Sequence, residues 1–224
     1  MTTPSSSSSA STSAPAAAPS TAPATSGTTP PVGQAQFNTT PDSVHHVTSE
    51  RIGKPWRASD KALTYIAVWE SGVINGTYNG NPVVDGFTLR VYDDGYGNPT
   101  VGAGHKLTQS DNLHMHENIS LDRARNLLRK DLKHTEKTIN DTVMVPLHQY
   151  EYDALVDFLF NTSGHGKPVL DEVNKGDYSK IAQKIEKYNK ARDTHHKLVA
   201  SKGLTRRRKS EAKVFNEGVY DASH

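Results

Sequence analysis

The stretch YDDGYGNPTVGAGH, residues 92–105, decides how the chain is read. Asp93 and Asp94 stand ahead of Thr100 and His105, with Gly95, Gly97, Gly102 and Gly104 threaded between them. A glycine-rich loop can wrap a phosphate, or it can build a tight β-hairpin that aims a carboxylate into a cleft. A phosphate loop needs a Lys-Ser/Thr pair and a helix start directly after its last glycine. The continuation GAGHKLTQ supplies neither. The glycines therefore read as hairpin turns that bring Asp94 and Thr100 toward a common point.

The flanking sequence agrees. Upstream, ASDKALTYIAVWE places Ala62, Tyr65, Ile66 and Trp69 at helical spacing behind Ser59, an N-cap residue type, and Glu70 falls at the helix end. Between them lies VINGTYNGNPVVDGFTLRVY, in which Asn-Gly at 75–76 and 79–80 and Asp-Gly at 85–86 separate short apolar runs. Such dipeptides predict hairpins, and Pro82 predicts that its strand lies at a sheet edge. Downstream the pattern becomes helical. ISLDRARNLLRKDLKHTEKTI opens on Ser120 and carries an apolar stripe of Leu121, Ala124, Leu127, Leu128 and Leu132. HQYEYDALVDFLFN buries Ala154, Leu155, Phe158 and Leu159; YSKIAQKIEKYNKA buries Ile181, Ile185 and Tyr188; GLTRRRKSEAKVF opens the last helix. The expected fold class is α+β, mostly helical, with a small hairpin sheet beside a larger helical lobe.

Composition bounds the rest. Residues 1–43 are almost all Ser, Thr, Ala and Pro, with Asp42 the one charged side chain. Such a segment buries too little apolar area to offset chain entropy and reads as a disordered tail or linker. The domain then spans 44–224. The whole 224-residue chain has 26 basic and 24 acidic side chains, a balance that demands no nucleic-acid partner. The absence of cysteine excludes a disulfide framework and a Cys-based zinc site. No apolar run approaches the roughly 18 residues of a membrane span, and the N-terminus lacks the charged start and apolar core of a signal peptide. The pairs His114/His116 and His195/His196 lack the i, i+4 spacing of a helical metal site.

Glu70 and Asp94 occupy two different settings. Glu70 follows the apolar run YIAVW, where burial would raise its pKa, and Asp94 opens a glycine-rich turn whose solvent and backbone donors would keep it charged. Two carboxyls so divided suit glycoside hydrolysis, in which one donates a proton to the leaving oxygen and the other stays ionised. Either residue alone reads as no more than a cap, a surface charge or a turn.

WESG, YDDGYGNPTVGAGH, LDRARNLLRKDL, VPLHQYEYDALVDFLFN, VNKGDY and GLTRRRKSE occur in one order, and together they resemble the phage-type lysozyme family, the muramidase endolysins of tailed phages. The resemblance runs over roughly residues 56–218 and implies a lysozyme-like fold with the sheet at the cleft. It implies a catalytic Glu at Glu70, Asp at Asp94 and Thr at Thr100, with His105 structural and paired with a carboxylate. Asp93 fills a variable position, and strand alternation should turn it to the opposite face. Two departures stand out. Glu70 and Asp94 are 24 positions apart, longer than the family spacing, so residues 75–86 read as an inserted hairpin. Lys167 and Pro168 replace a Ser-Thr pair.

The resemblance implies a peptidoglycan hydrolase that cleaves the β-1,4 bond between N-acetylmuramic acid and N-acetylglucosamine. No metal or cofactor is required, and the protein is expected to be a monomer without membrane insertion. It would be made in the cytoplasm and act on periplasmic peptidoglycan, as a phage endolysin or as a delivered antibacterial toxin with an immunity protein. A non-catalytic peptidoglycan-binding module is the alternative. The basic run RRRK, residues 206–209, reads as structural or peptidoglycan-facing rather than nucleic-acid binding.

Overall fold

The computed structural model describes residues 34–40, 43–194 and 196–223, those up to residue 50 by backbone alone. Of the tail expected over residues 1–43, residues 1–33 and 41–42 lie outside the described residues, as do His195 and His224. The strand β1 (Gln34–Thr40) pairs antiparallel with β2 (Ser43–Ile52). Strand pairing thus begins inside the segment expected to be a linker. Phe37, Val44 and Val47 are apolar β-forming residue types, and of these the Ser/Thr/Ala/Pro-rich stretch before residue 34 has only Val32. At the end of β2, Ile52 exchanges backbone hydrogen bonds with Leu147.

The helix α1 (Asp60–Ser71) starts where the sequence predicts. The Ser59 hydroxyl accepts from the Ala62 N–H at 3.1 Å, and Gly72 closes the helix in the left-handed region. Its Leu63, Ile66 and Ala67 are fully buried. An antiparallel sheet follows, ordered β3 (Gly76–Tyr78), β4 (Asn81–Val84), β5 (Phe87–Asp93), β6 (Pro99–Gly102) and β7 (His105–Lys106). Its first two turns are Asn79-Gly80 and Asp85-Gly86, and all four residues have positive φ, the geometry those dipeptides favour. Pro82 does not mark an edge, because β4 lies between β3 and β5. Its ladder with β5 pairs only Val83 with Thr88 and Val84 with Phe87, so the missing Pro82 N–H falls outside that ladder.

The helical lobe comprises α2 (Leu121–Thr142), α3 (Gln149–Asn161), α4 (Lys167–Val173), α5 (Ile181–Glu186) and α6 (Lys202–Glu217). Ser120 caps α2 and Ser201 caps α6 through their side-chain oxygens. Ala124, Leu127, Leu128 and Leu132 of the α2 stripe are buried, while Leu121 is half-buried. Leu128 and Leu132 join Ala154, Leu155, Phe158, Leu159, Ile181 and Ile185 in one core. The helix expected through residue 191 stops at Glu186. Tyr188 is half-buried and packs edge-on against Phe158, ring centroids 5.1 Å apart, and the chain turns into the short pair β8 (Lys190–Arg192) and β9 (Leu198–Ala200).

Two contacts fix the sheet to the helices. His105 is buried with Nδ1 2.9 Å from both oxygens of Asp131 on α2 and Nε2 3.1 Å from Asp111, the carboxylate pairing expected of it. Burial works against the charge of Asp111, but Lys130 and the donors of Thr108 outweigh it and hold that carboxyl well below the usual range. Gly86 has φ +87°, and a Cβ there would lie 2.5 Å from the backbone N of Val68 on α1.

The Gly86→Ala protein should therefore lose about 2–5 kcal/mol, from backbone strain and overpacking together. Urea unfolding measures the loss, and a change within about 0.5 kcal/mol would show that the hairpin base does not bear on α1.

Candidate active site

Residues 93–98 form a turn closed by its own carboxylates. Asp93 Oδ1 accepts from the N–H groups of Gly95 at 2.7 Å and Gly97 at 3.0 Å. Asp94 Oδ1 accepts from the N–H groups of Tyr96 at 2.8 Å and Asn98 at 3.1 Å, and its Oδ2 from the Asn98 side-chain amide at 2.8 Å. Gly95 and Gly97, at φ +86° and +82°, allow the backbone to curl around both side chains. The expected separation of the two aspartates onto opposite faces does not apply. The strand ends at Asp93, and both carboxylates organise the same turn.

The Asn98 amide, then the Tyr96 and Asn98 N–H groups and Lys106, hold the Asp94 carboxyl below the ordinary range against a desolvation effect that raises it. Lys106 Nζ stands 3.5 Å from Asp94 Oδ2. Thr100 is buried and sits directly opposite Tyr92 in the β5–β6 ladder. Its hydroxyl donates to the Asn98 carbonyl at 3.1 Å. Asn98 therefore connects Asp94 to Thr100, bonding one with its amide groups and the other with its carbonyl.

Glu70 stands in the last turn of α1 and is exposed, not set in the apolar pocket its neighbours suggested. Tyr65, Ile66, Ala67 and Val68 pack inward, whereas Glu70 falls on the exposed side of the same helix. Its carboxylate instead accepts from Arg207 Nη1 on α6 at 2.8 Å. Arg207 also donates from Nη2 to Asp157 Oδ1 on α3 at 2.5 Å, and its Nε lies 3.5 Å from Glu211. Burial disfavours the charge on Arg207, but Asp157, Glu70 and Glu211 outweigh it and hold the guanidinium pKa up. Burial, then the neighbouring Asp157, pushes the Glu211 carboxyl well above the usual range.

Arg207 and Arg208 are both buried, so half of the basic run 206–209 serves the interior. Arg208 bonds Asn161 and lies 3.1 Å from Glu211.

Of the three residues expected to act, Asp94 and Thr100 are joined within the sheet, and Glu70 is held by the helical lobe. Asn98, Lys106, Asp157 and Arg207 complete the surroundings, and none was singled out from the sequence as a site residue. Asp157 carried a signal. A carboxylate inside the apolar run ALVDFLF has to meet a buried cation.

The sequence model of the phage lysozyme family matches residues 83–211, a stretch that includes Asp94, Thr100, Asp157 and Arg207 and begins after Glu70. The chain is 31% identical over 134 residues to an endolysin of Acyrthosiphon pisum secondary endosymbiont phage 1, covering 58% of this chain and 88% of the relative. It is 32% identical over 111 residues to an endolysin of Salmonella phage P22, covering 48% and 76%. Among solved structures it is similar to the endolysin from Escherichia coli O157:H7 phage FAHEc1, with TM-score 0.60 and 26% identity, over 75% of this chain and 98% of that one. The family match spans more than half of the sequence, and the fold matches the expected α+β arrangement; the chain belongs to the phage lysozyme family.

Proposed function

We propose that this protein is a muramidase that hydrolyses the β-1,4 bond between N-acetylmuramic acid and N-acetylglucosamine, with Glu70 as general acid and Asp94 and Thr100 handling the water. Family membership sets the broader class, a lysozyme-type hydrolase that degrades peptidoglycan. The observation that carries the finer reading is the Asp94 carboxylate, kept ionised by the donors of its own turn and tied through Asn98 to Thr100.

The chemistry follows from those states. Glu70 gives its proton to the glycosidic oxygen as the bond from that oxygen to the sugar C1 breaks. The positive charge that develops on the sugar ring faces Asp94. Thr100 has committed its hydroxyl hydrogen to the Asn98 carbonyl, so its oxygen is left as an acceptor for a water O–H. That water attacks C1 and passes its proton to Asp94, and the two carboxyls then exchange protons with solvent. The protein needs no partner chain for these steps, and we take it to act as a monomer. The same chemistry serves phage lysis and delivery between bacteria alike.

Mass spectrometry of fragments released from purified peptidoglycan tests the assignment. Wild type should release disaccharide muropeptides ending in reducing N-acetylmuramic acid, and a folded Glu70→Gln protein should release them at least about 100-fold more slowly. Full activity in that variant, or products ending in reducing N-acetylglucosamine, would refute it.

The depressed Asp94 pKa sets a pH signature. The Asp94 carboxyl is held below the ordinary carboxylate range, so the acid limb of kcat/KM should lie at lower pH than an unassisted aspartate would set. Removing the Asn98 amide in Asn98→Ala leaves its carbonyl for Thr100 but takes away the strongest support of the charged form. The acid limb should then move to higher pH. A pH–rate profile reads the shift, and an unmoved limb would mean that Asp94 does not control it.

A further inference from the structure

The first strand of the inserted hairpin, β3, ends at Tyr78, and Tyr78 does not face away from the candidate site. Its ring meets that of Tyr92 edge-on, centroids 5.8 Å apart. Tyr92 is the direct strand partner of Thr100, and Thr100 of Lys106. Directly paired residues share one face of a sheet. Tyr92, Thr100 and Lys106 therefore form a row across β5, β6 and β7, with Asp94 beside Lys106 at 3.5 Å. Tyr78 extends that row onto β3, about 14 Å from β6 at the usual strand spacing. Tyr78 and Tyr92 are both only half-buried.

We infer that Tyr78 and Tyr92 form an aromatic platform that binds a sugar unit of the glycan strand beyond the bond being cut, so that the inserted hairpin sets a preference for long strands. This rests on the muramidase reading of the same site. The C–H face of a pyranose is apolar and weakly positive, and it packs on the negative face of an aromatic ring. A glycan of repeating sugars needs such a surface in line with the reacting bond, and the row from Lys106 to Tyr78 supplies that line.

The hairpin that carries Tyr78 is pinned at its base. Gly86 N–H donates to the Ile74 carbonyl at 2.8 Å, Asp85 N–H to the Asn75 side chain at 3.0 Å, and Arg125 of α2 grips the Asp85 carboxylate at 2.8 Å. Sites carried on such pinned elements hold their geometry better than free loops do. The family match covers residues 83–211, so Tyr92 lies within it and Tyr78, on the inserted hairpin, lies before it.

The test compares wild type, Tyr78→Ala and Tyr78→Phe on purified glycan strands of graded length. Tyr78→Ala should raise KM on long strands about threefold to tenfold more than on the shortest cleavable fragment, with kcat nearly constant. Tyr78→Phe, which keeps the ring, should restore the wild-type KM. Binding of the same strands in a Glu70→Gln background gives a second readout that needs no turnover, and there Tyr78→Ala should weaken Kd for long strands by a similar factor. An equal loss on short and long strands, or no loss in KM and Kd, would overturn the platform. A wild type that releases no fragments while Tyr78→Ala still weakens strand binding would leave the platform standing and refute the hydrolase.

Discussion

The Arg207 guanidinium joins α6 to α3 through Asp157 at 2.5 Å and to α1 through Glu70 at 2.8 Å. Its side chain is 7% exposed and that of Asp157 is fully buried, so this is an ion pair in the interior with one arm reaching the surface. Withdrawing either partner from such a pair typically costs about 3–5 kcal/mol, because a buried charge is left unanswered. The arrangement also explains where Glu70 points. A carboxylate at the frayed end of a helix would sample many rotamers; here one charge-assisted bond limits it. The guanidinium that secures the helical lobe is therefore the group that positions the proposed acid.

The sheet solves the matching problem for Asp94 by other means. Its carboxylate is held by N–H and amide donors of its own five-residue turn, which cost little to organise because Gly95 and Gly97 accept positive φ. One carboxyl thus belongs to a long-range ion-pair network and the other to a local turn. His105, clasped between Asp131 and Asp111, keeps β7 against α2 and so holds the sheet side of the site in register with the helices.

Much of this was legible in the residues themselves. Asn79-Gly80 and Asp85-Gly86 announce their turns because few other dipeptides accept positive φ twice in succession. Ser59 and Ser120 announce helix starts because their side chains satisfy backbone donors that the helix leaves open. What stayed hidden depends on contacts distant in sequence. Glu70 and Arg207 are 137 residues apart, and nothing local to YIAVWE says that the carboxylate will find a cation rather than an apolar pocket. The end of α5 at Glu186 depends on Tyr188 meeting Phe158, which its own periodicity does not reveal. Strand alternation failed for Asp93 and Asp94 because a side-chain-capped turn replaced the strand one residue early. Pro82 misled because the position of β4 in the sheet depends on β3, a strand of only three residues.

The central claim is that Arg207 binds the lobe together through Asp157 while it holds Glu70. A double-mutant cycle tests it most directly, with Arg207→Met and Asp157→Asn alone and together, each measured by urea unfolding. Each single change strands a buried partner, and the double change removes both, so the two losses should fall short of additivity by about 2–3 kcal/mol. Additive losses within about 0.5 kcal/mol would mean that the two side chains do not depend on each other, and the account of how Glu70 is held would fail with them.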